Sequence, residues 1–177
     1  MDLEKKIRNV PDWPIKGIQF KDITTILQDP KALKESIDIF VKRYKNKKID
    51  KVVSMEARGF IFGAAIAYMI DAGFVPIRKK GKLPYKTIEY TYEKEYGPDT
   101  LIMHIDAIEQ GENVLVMDDL LATGGTALAA AKMVEQLKGD VVEIAFLIEL
   151  THSLHGREFL EKNNYKVWSH LKIPVEE

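Results

Sequence analysis

The stretch VLVMDDLLATGGTALAAA, residues 114–131, sets four apolar residues, two adjacent carboxylates and a small-residue loop directly before a run of helix formers. In that order Ala122, Thr123, Gly124, Gly125 and Thr126 present consecutive backbone N–H groups at a helix N-terminus, and the glycines let a ligand approach with no Cβ in the way. This is a cradle for a phosphate. Hydroxyls of Thr123 and Thr126 add donors, so a monoester with three free oxygens uses the loop more fully than a diester. The loop lacks the lysine of a nucleoside-triphosphate P-loop and the GxGxxG spacing of a dinucleotide site. Asp118 and Asp119 repel a nearby phosphate unless each meets a donor or a cation. The two ring hydroxyls of a ribose 5-phosphate supply such donors, so a sugar phosphate satisfies both halves of the motif. A bare strand end with surface acids and a glycine turn is the plainer alternative.

The elements that must hold this motif follow from periodicity. Asp29-Pro30 reads as an N-cap and first helical position, and Leu33, Ile37, Phe40, Val41 and Tyr44 recur at helical spacing. Residues 51–55 read as a buried strand, 59–70 as an apolar helix, and 74–77 as another strand. Between 78 and 99 the chain turns basic and polar, and 87–92 with 100–104 form a candidate hairpin or flap. Residues 114–117 are a strand, 125–138 a helix, 141–148 a strand, and a short helix and a strand over 165–171 finish the chain. Alternating strands and helices imply an α/β fold: a mainly parallel sheet flanked by helices on both faces, with ligands at the carboxyl ends of the strands.

Composition bounds the partners. The 177 residues fit a single domain with its own core. With 26 Lys+Arg against 27 Asp+Glu the net charge is −1, which argues against nucleic-acid or anionic-membrane partners and makes any anion site local. There is no cysteine, which excludes a disulfide framework and thiolate chemistry and leaves the redox compartment open, a reducing cytosol among the fits. The first fourteen residues mix charges and prolines and do not read as a secretory signal. The four histidines show no metal-ligand spacing.

Residues 114–131 resemble the 5-phosphoribosyl diphosphate (PRPP) signature of type I phosphoribosyltransferases. The resemblance implies phosphate on Ala122 through Thr126 and the ribose diol on Asp118 and Asp119. Outside it, PDWPIKGIQFKDIT, EARGFIFGAA, IRKKGKLP, EYG and FLIELTHSLHGREFL resemble adenine phosphoribosyltransferases almost end to end. This implies pyrophosphate binding by Glu56, Ala57, Arg58 and Gly59, with a cis peptide at Glu56-Ala57. Arg58 supplies a planar charged fork for phosphate oxygens. Of the cations at 78, 79, 80 and 82, the resemblance selects Arg78 and Lys82 for pyrophosphate, across the interface of a homodimer. It also implies a base-binding hood over roughly residues 1–30, a flap over 78–104, and adenine contacts from Phe20, Lys21 and Leu150. Lys21 stands where relatives carry arginine, so a guanidinium role there is in doubt and backbone contacts survive. Glu149 beside Leu150, with no lysine to meet a 6-oxo group, is read as suiting the exocyclic amine of adenine.

The implied reaction joins adenine to PRPP, giving AMP and pyrophosphate, with Mg²⁺ carried in on PRPP and held mainly by it, near Asp118 and Asp119. Arg58 stabilises the leaving group. Glu95 of the EYG motif is the candidate acid or base on a closing flap. A xanthine- or hypoxanthine-directed enzyme is the nearest alternative; a PRPP-sensing regulator is the alternative from another class.

Overall fold

The computed structural model describes residues 1–94 and 97–175. After a 3-10 turn at Glu4–Lys6, strands β1 (Arg8–Pro11) and β2 (Gln19–Asp22) pair antiparallel as a separate two-stranded sheet. Then come α1 (Thr24–Leu27), α2 (Pro30–Tyr44), β3 (Lys51–Met55), α3 (Arg58–Met69) and β4 (Gly73–Lys79). Strands β5 (Thr87–Lys94) and β6 (Gly97–His104) precede β7 (Asn113–Leu121), α4 (Gly125–Gln136), β8 (Asp140–His152), α5 (Gly156–Lys162) and β9 (Val167–Val175). The main sheet has the order β5-β6-β4-β3-β7-β8-β9, parallel from β4 to β9 and antiparallel at the β5 and β6 edge.

Alternation along the strands divides the core into two layers. Val52, Leu115 and Met117 face α2 and α3, where Phe40, Tyr44, Phe62 and Ile66 are fully buried. Val53, Val114 and Val116 face α4, with Ala130, Met133 and Val134 beneath them. Each large apolar side chain so buried contributes about 1.5–3 kcal/mol before its entropy cost. Helix α2 starts as its sequence predicts: the Asp29 carboxylate accepts from the amides of Lys31 and Ala32, with Pro30 at the first position.

Three expectations shift. Strand β7 does not stop at residue 117 but runs through both acids to Leu121, because its ladder with β8 continues from Asp118↔Phe146 to Leu121↔Glu149. The last strand lies at Val167–Val175 and not 165–171, since its pairing with β8 begins at Ile144↔Val167. The hairpin at 87–104 forms, but Ile88, Tyr90 and Tyr92 pack their side chains against the α4 layer, so one face of the flap is core. No helix among the described residues is long and apolar enough to cross a membrane.

Candidate active site

The site lies at the carboxyl ends of β3, β4 and β7, where the parallel strands hand over to loops. At the end of β7 the two acids have different surroundings. Asp118 Oδ1 accepts the Asp119 amide at 2.9 Å, and it fits only because residue 59 has no side chain: a Cβ on Gly59 would lie 2.6 Å from that oxygen. Asp119 is 3% exposed, and Arg58 Nε lies 2.9 Å from its Oδ2. The guanidinium N–H is not aimed at that oxygen, so Oδ2 has a neutralising charge beside it but no directed hydrogen bond among the described residues. Desolvation, and then the charge of Asp119, push the Asp118 carboxyl well above the ordinary aspartate range; desolvation also raises Asp119, against the opposing pull of Arg58. A buried acceptor without a donor costs about 1–3 kcal/mol, so the pair is built to receive hydroxyl or cationic groups from a ligand.

The loop after β7 opens α4 with Gly124 in the left-handed region at φ 87°, and no side chain among the described residues caps the helix. Its first amides therefore stay available. Ala122 to Thr126 and Asp118 line a cavity of about 100 Å³. The loop is braced from behind by α5: a Cβ on Gly124 would meet the Gly156 carbonyl at 3.0 Å, and one on Gly156 would run into the Ala122 carbonyl and Leu121. From the flap, the Tyr92 hydroxyl lies 2.9 Å from Thr126 Oγ1.

A second cavity of about 220 Å³ adjoins the first, sharing Asp118 and Thr126 and adding Glu56, Ala57, Arg58, Lys79, Lys94, Asp99 and Asp119. The Glu56-Ala57 peptide is cis. Glu56 receives Arg78 Nη2 at 3.0 Å and the Lys79 amide at 2.7 Å. Despite desolvation, these donors hold its carboxyl below the ordinary glutamate range. The cations differ from those the sequence favours. Arg78 is engaged by Glu56 and by the Lys82 carbonyl, and neither Arg78 nor Lys82 lines either cavity, whereas Lys79 does. Successive side chains on a strand point to opposite faces, so 78 and 79 cannot both turn inward. Lys94 was missed as well; its signal was the period of two in Ile88, Tyr90, Tyr92 and Lys94, which puts it on the inward face of β5.

On the base side, Arg58 ties the small sheet to the acids. Its guanidinium lies 5.2 Å from the Phe20 ring centre, and its Nη1 is 3.5 Å from the Lys21 carbonyl. Phe20 also meets Trp13 edge-on at 4.4 Å. The Lys21 ammonium turns away to Asn9 at 2.8 Å, leaving its backbone as the part that reaches the site. Leu150 lines a third cavity of about 200 Å³ with Gly17, Ile18, Gln19 and Leu154, so Phe20 and Leu150 do not share one cavity. The reading of Glu149 as a partner for the base amine is corrected: Glu149 is 5% exposed and receives Arg157 through Nε at 2.9 Å and Nη2 at 2.6 Å, together with the Ser169 hydroxyl. Its acceptors are already spent on α5 and β9. Glu95 lies outside the described residues.

With this geometry in view, comparison with known proteins gives one answer. The phosphoribosyl transferase domain family matches residues 22–175. A curated adenine phosphoribosyltransferase from Acetivibrio thermocellus is 58% identical over 165 residues, covering 93% of this chain and 96% of the relative. The crystal structure of adenine phosphoribosyltransferase from Thermoanaerobacter pseudethanolicus superposes with a TM-score of 0.93 at 50% identity, covering 97% of this chain and 98% of that one. The Saccharomyces cerevisiae enzyme, solved with adenine and an imino-altritol bisphosphate, superposes with a TM-score of 0.87 at 40% identity over 95% and 96% of the two chains. A family match over nearly the whole fold, joined to relatives at 50–58% identity that cover nearly the whole chain, means that the chain belongs to the phosphoribosyltransferase family, among its adenine phosphoribosyltransferases.

Proposed function

We propose that this chain transfers the phosphoribosyl group of PRPP to adenine, forming AMP and releasing pyrophosphate. The observation that carries the reading is the buried Asp119 Oδ2, which has the Arg58 charge beside it but no directed hydrogen bond among the described residues, set one loop away from a helix N-terminus that no described side chain caps. A ribose 5-phosphate answers both: its hydroxyls donate to the acids while its phosphate takes the amides of Ala122 to Thr126. The adjoining cavity then receives the diphosphate among Glu56, Ala57, Arg58, Gly59 and Lys79, and departure of that group is helped by the positive charges fixed there. Adenine sits under the small N-terminal sheet, near Phe20 and the Lys21 backbone; for Leu150, which lines a separate cavity with Gly17 to Gln19, a contact with the base rests on the resemblance alone. Glu95 is the proposed acid or base, on its position in EYG alone, and Glu95→Gln is expected to cut turnover while sparing PRPP affinity.

Among the described residues no three His, Asp or Glu side chains cluster to hold a metal by themselves. The donor set fits an ion brought in by the substrate, with the oxygens of Asp118 and Asp119 as the protein's share. When bound, Mg²⁺ offsets charge on the diphosphate oxygens. The chain's own residues do the rest: they fix the sugar, orient the base and keep water from the reacting carbon.

The same reading includes a homodimer in the cytoplasm. Its support is apolar surface on α3, where Ile61, Tyr68 and Met69 are 43%, 82% and 50% exposed. Arg78 and Lys82, which do not line the cavities of their own chain, are proposed to serve the partner's diphosphate. Protein mixed with PRPP, Mg²⁺ and adenine, hypoxanthine, guanine, xanthine or orotate in turn tests the function by nucleotide formation. Adenine is expected to lead by orders of magnitude; a lead by hypoxanthine or xanthine would reassign the base, and turnover of none would end the enzymatic reading.

A further inference from the structure

Three strands meet beside the second cavity in the order β5-β6-β4, and each contributes one charge to a single cluster. Asp99, on the middle strand, has its Oδ2 2.5 Å from Lys94 Nζ on one neighbour and 3.4 Å from Lys79 Nζ on the other. All three residues line the cavity that also holds Arg58 and Asp119. Among the described residues Glu56 is met by Arg78 and Asp119 by Arg58, and Asp118 accepts the Asp119 amide, so Asp99 is the carboxylate that both ammonium groups contact. The lysine contacts hold the Asp99 carboxyl below the ordinary aspartate range, Lys94 first. Lys94 is further located by the Tyr92 ring, 5.3 Å from its Nζ, and the hydroxyl of that ring reaches Thr126 of the phosphate loop.

We infer that Asp99 is an internal place-holder for the diphosphate: it keeps Lys79 and Lys94 together, and the incoming diphosphate of PRPP takes both lysines from it. The inference rests on the proposed function, since it assigns the diphosphate to this cavity. A diphosphate carries more negative charge and more acceptor oxygens than one carboxylate, so it wins both ammonium groups when it arrives. When it leaves, Asp99 takes them back, which lowers the cost of release. The cluster therefore limits how tightly the product is held, and Lys94 becomes a diphosphate ligand delivered by the flap.

Two substitutions in contact with each other should act in opposite directions. Lys94→Met removes a ligand, and its affinity for magnesium pyrophosphate, measured by calorimetry, is expected to fall about tenfold, the effect of one partly exposed charge-assisted hydrogen bond. Asp99→Asn removes the competitor and its repulsion, and its affinity is expected to rise about three- to tenfold, with a lower kcat where product release limits turnover. Lys94→Arg should restore most of the lost affinity. Ribose 5-phosphate, which uses the acids and the loop, should bind all three variants as it binds the native chain. If both Lys94→Met and Asp99→Asn weaken pyrophosphate, the cluster is a brace for the flap and the inference fails; if neither moves it, the inference also fails. A native chain that binds ribose 5-phosphate but no pyrophosphate would overturn the assignment of this cavity, and the place-holder with it.

Discussion

Asp118→Asn should make the protein more stable and less able to bind its sugar, and the gain in stability should grow with pH. Two unit charges about 5 Å apart repel by about 3 kcal/mol at an effective dielectric constant near 20. Asp118 stays partly open to the cavity, and Arg58 offsets part of the charge of the pair, so about half of that survives, about 1–2 kcal/mol. In a chain of this size this corresponds to a rise in Tm of about 2–8 °C. The amide oxygen can still accept from the Asp119 backbone, so the local turn is kept. The sign with pH follows from the raised folded-state value of Asp118. The folded native chain keeps this proton where the unfolded chain has lost it, so native stability falls as pH rises from the ordinary aspartate range through the raised value. The variant has no such loss. Thermal melts of both proteins should nearly coincide in the ordinary aspartate range and separate as pH rises through the raised value. Ribose 5-phosphate should bind the variant about ten- to a hundredfold more weakly, because a charged acceptor for a hydroxyl is gone. A variant that melts below the native chain at pH 8, or a gap that does not change with pH, would refute the argument that the acids are held together against their own repulsion.

Two further outcomes follow from the same geometry. Gly156→Ala places a methyl group against the Ala122 carbonyl, so the phosphate loop must shift; ribose 5-phosphate affinity should drop at least about tenfold while adenine binding changes little, as titration of each ligand would read. Glu143 is 7% exposed and is held below the ordinary glutamate range by Arg43 and Tyr44, which overcome its desolvation. Its contribution is complete above the ordinary glutamate value and is lost as pH falls through the lowered one, so Glu143→Gln should cost about 2 kcal/mol, about 4–8 °C in Tm, at pH 7, and the gap should shrink as acidification carries the native chain through that lowered value.

The strand, acids, glycine turn and helix of the proposed phosphate and ribose site were legible because they are contiguous, within eighteen residues. The sheet was legible for the same reason, one strand and one helix at a time. The cations were not. Whether Arg78 or Lys79 turns inward depends on which face of β4 meets the cavity, and Lys94 reaches it only because β5 and β6 extend the sheet beside β4. Glu149 was misread because the residue that claims it, Arg157, comes back to it from α5 by a turn that periodicity does not reveal. Phe20 is a related case: the likeness to relatives pointed to the base, and the folded chain sets its ring on Arg58, a partner thirty-eight positions away in sequence.

The central claim is that Asp118 and Asp119 hold a sugar diol while the neighbouring loop holds its phosphate. Calorimetric titration of the native chain with ribose 5-phosphate and with 2-deoxyribose 5-phosphate tests it most directly. The account predicts that the native chain prefers the first by about tenfold or more, and that replacing both acids by asparagine removes most of this preference while the phosphate still binds weakly. Equal affinity of the native chain for the two sugars would contradict it.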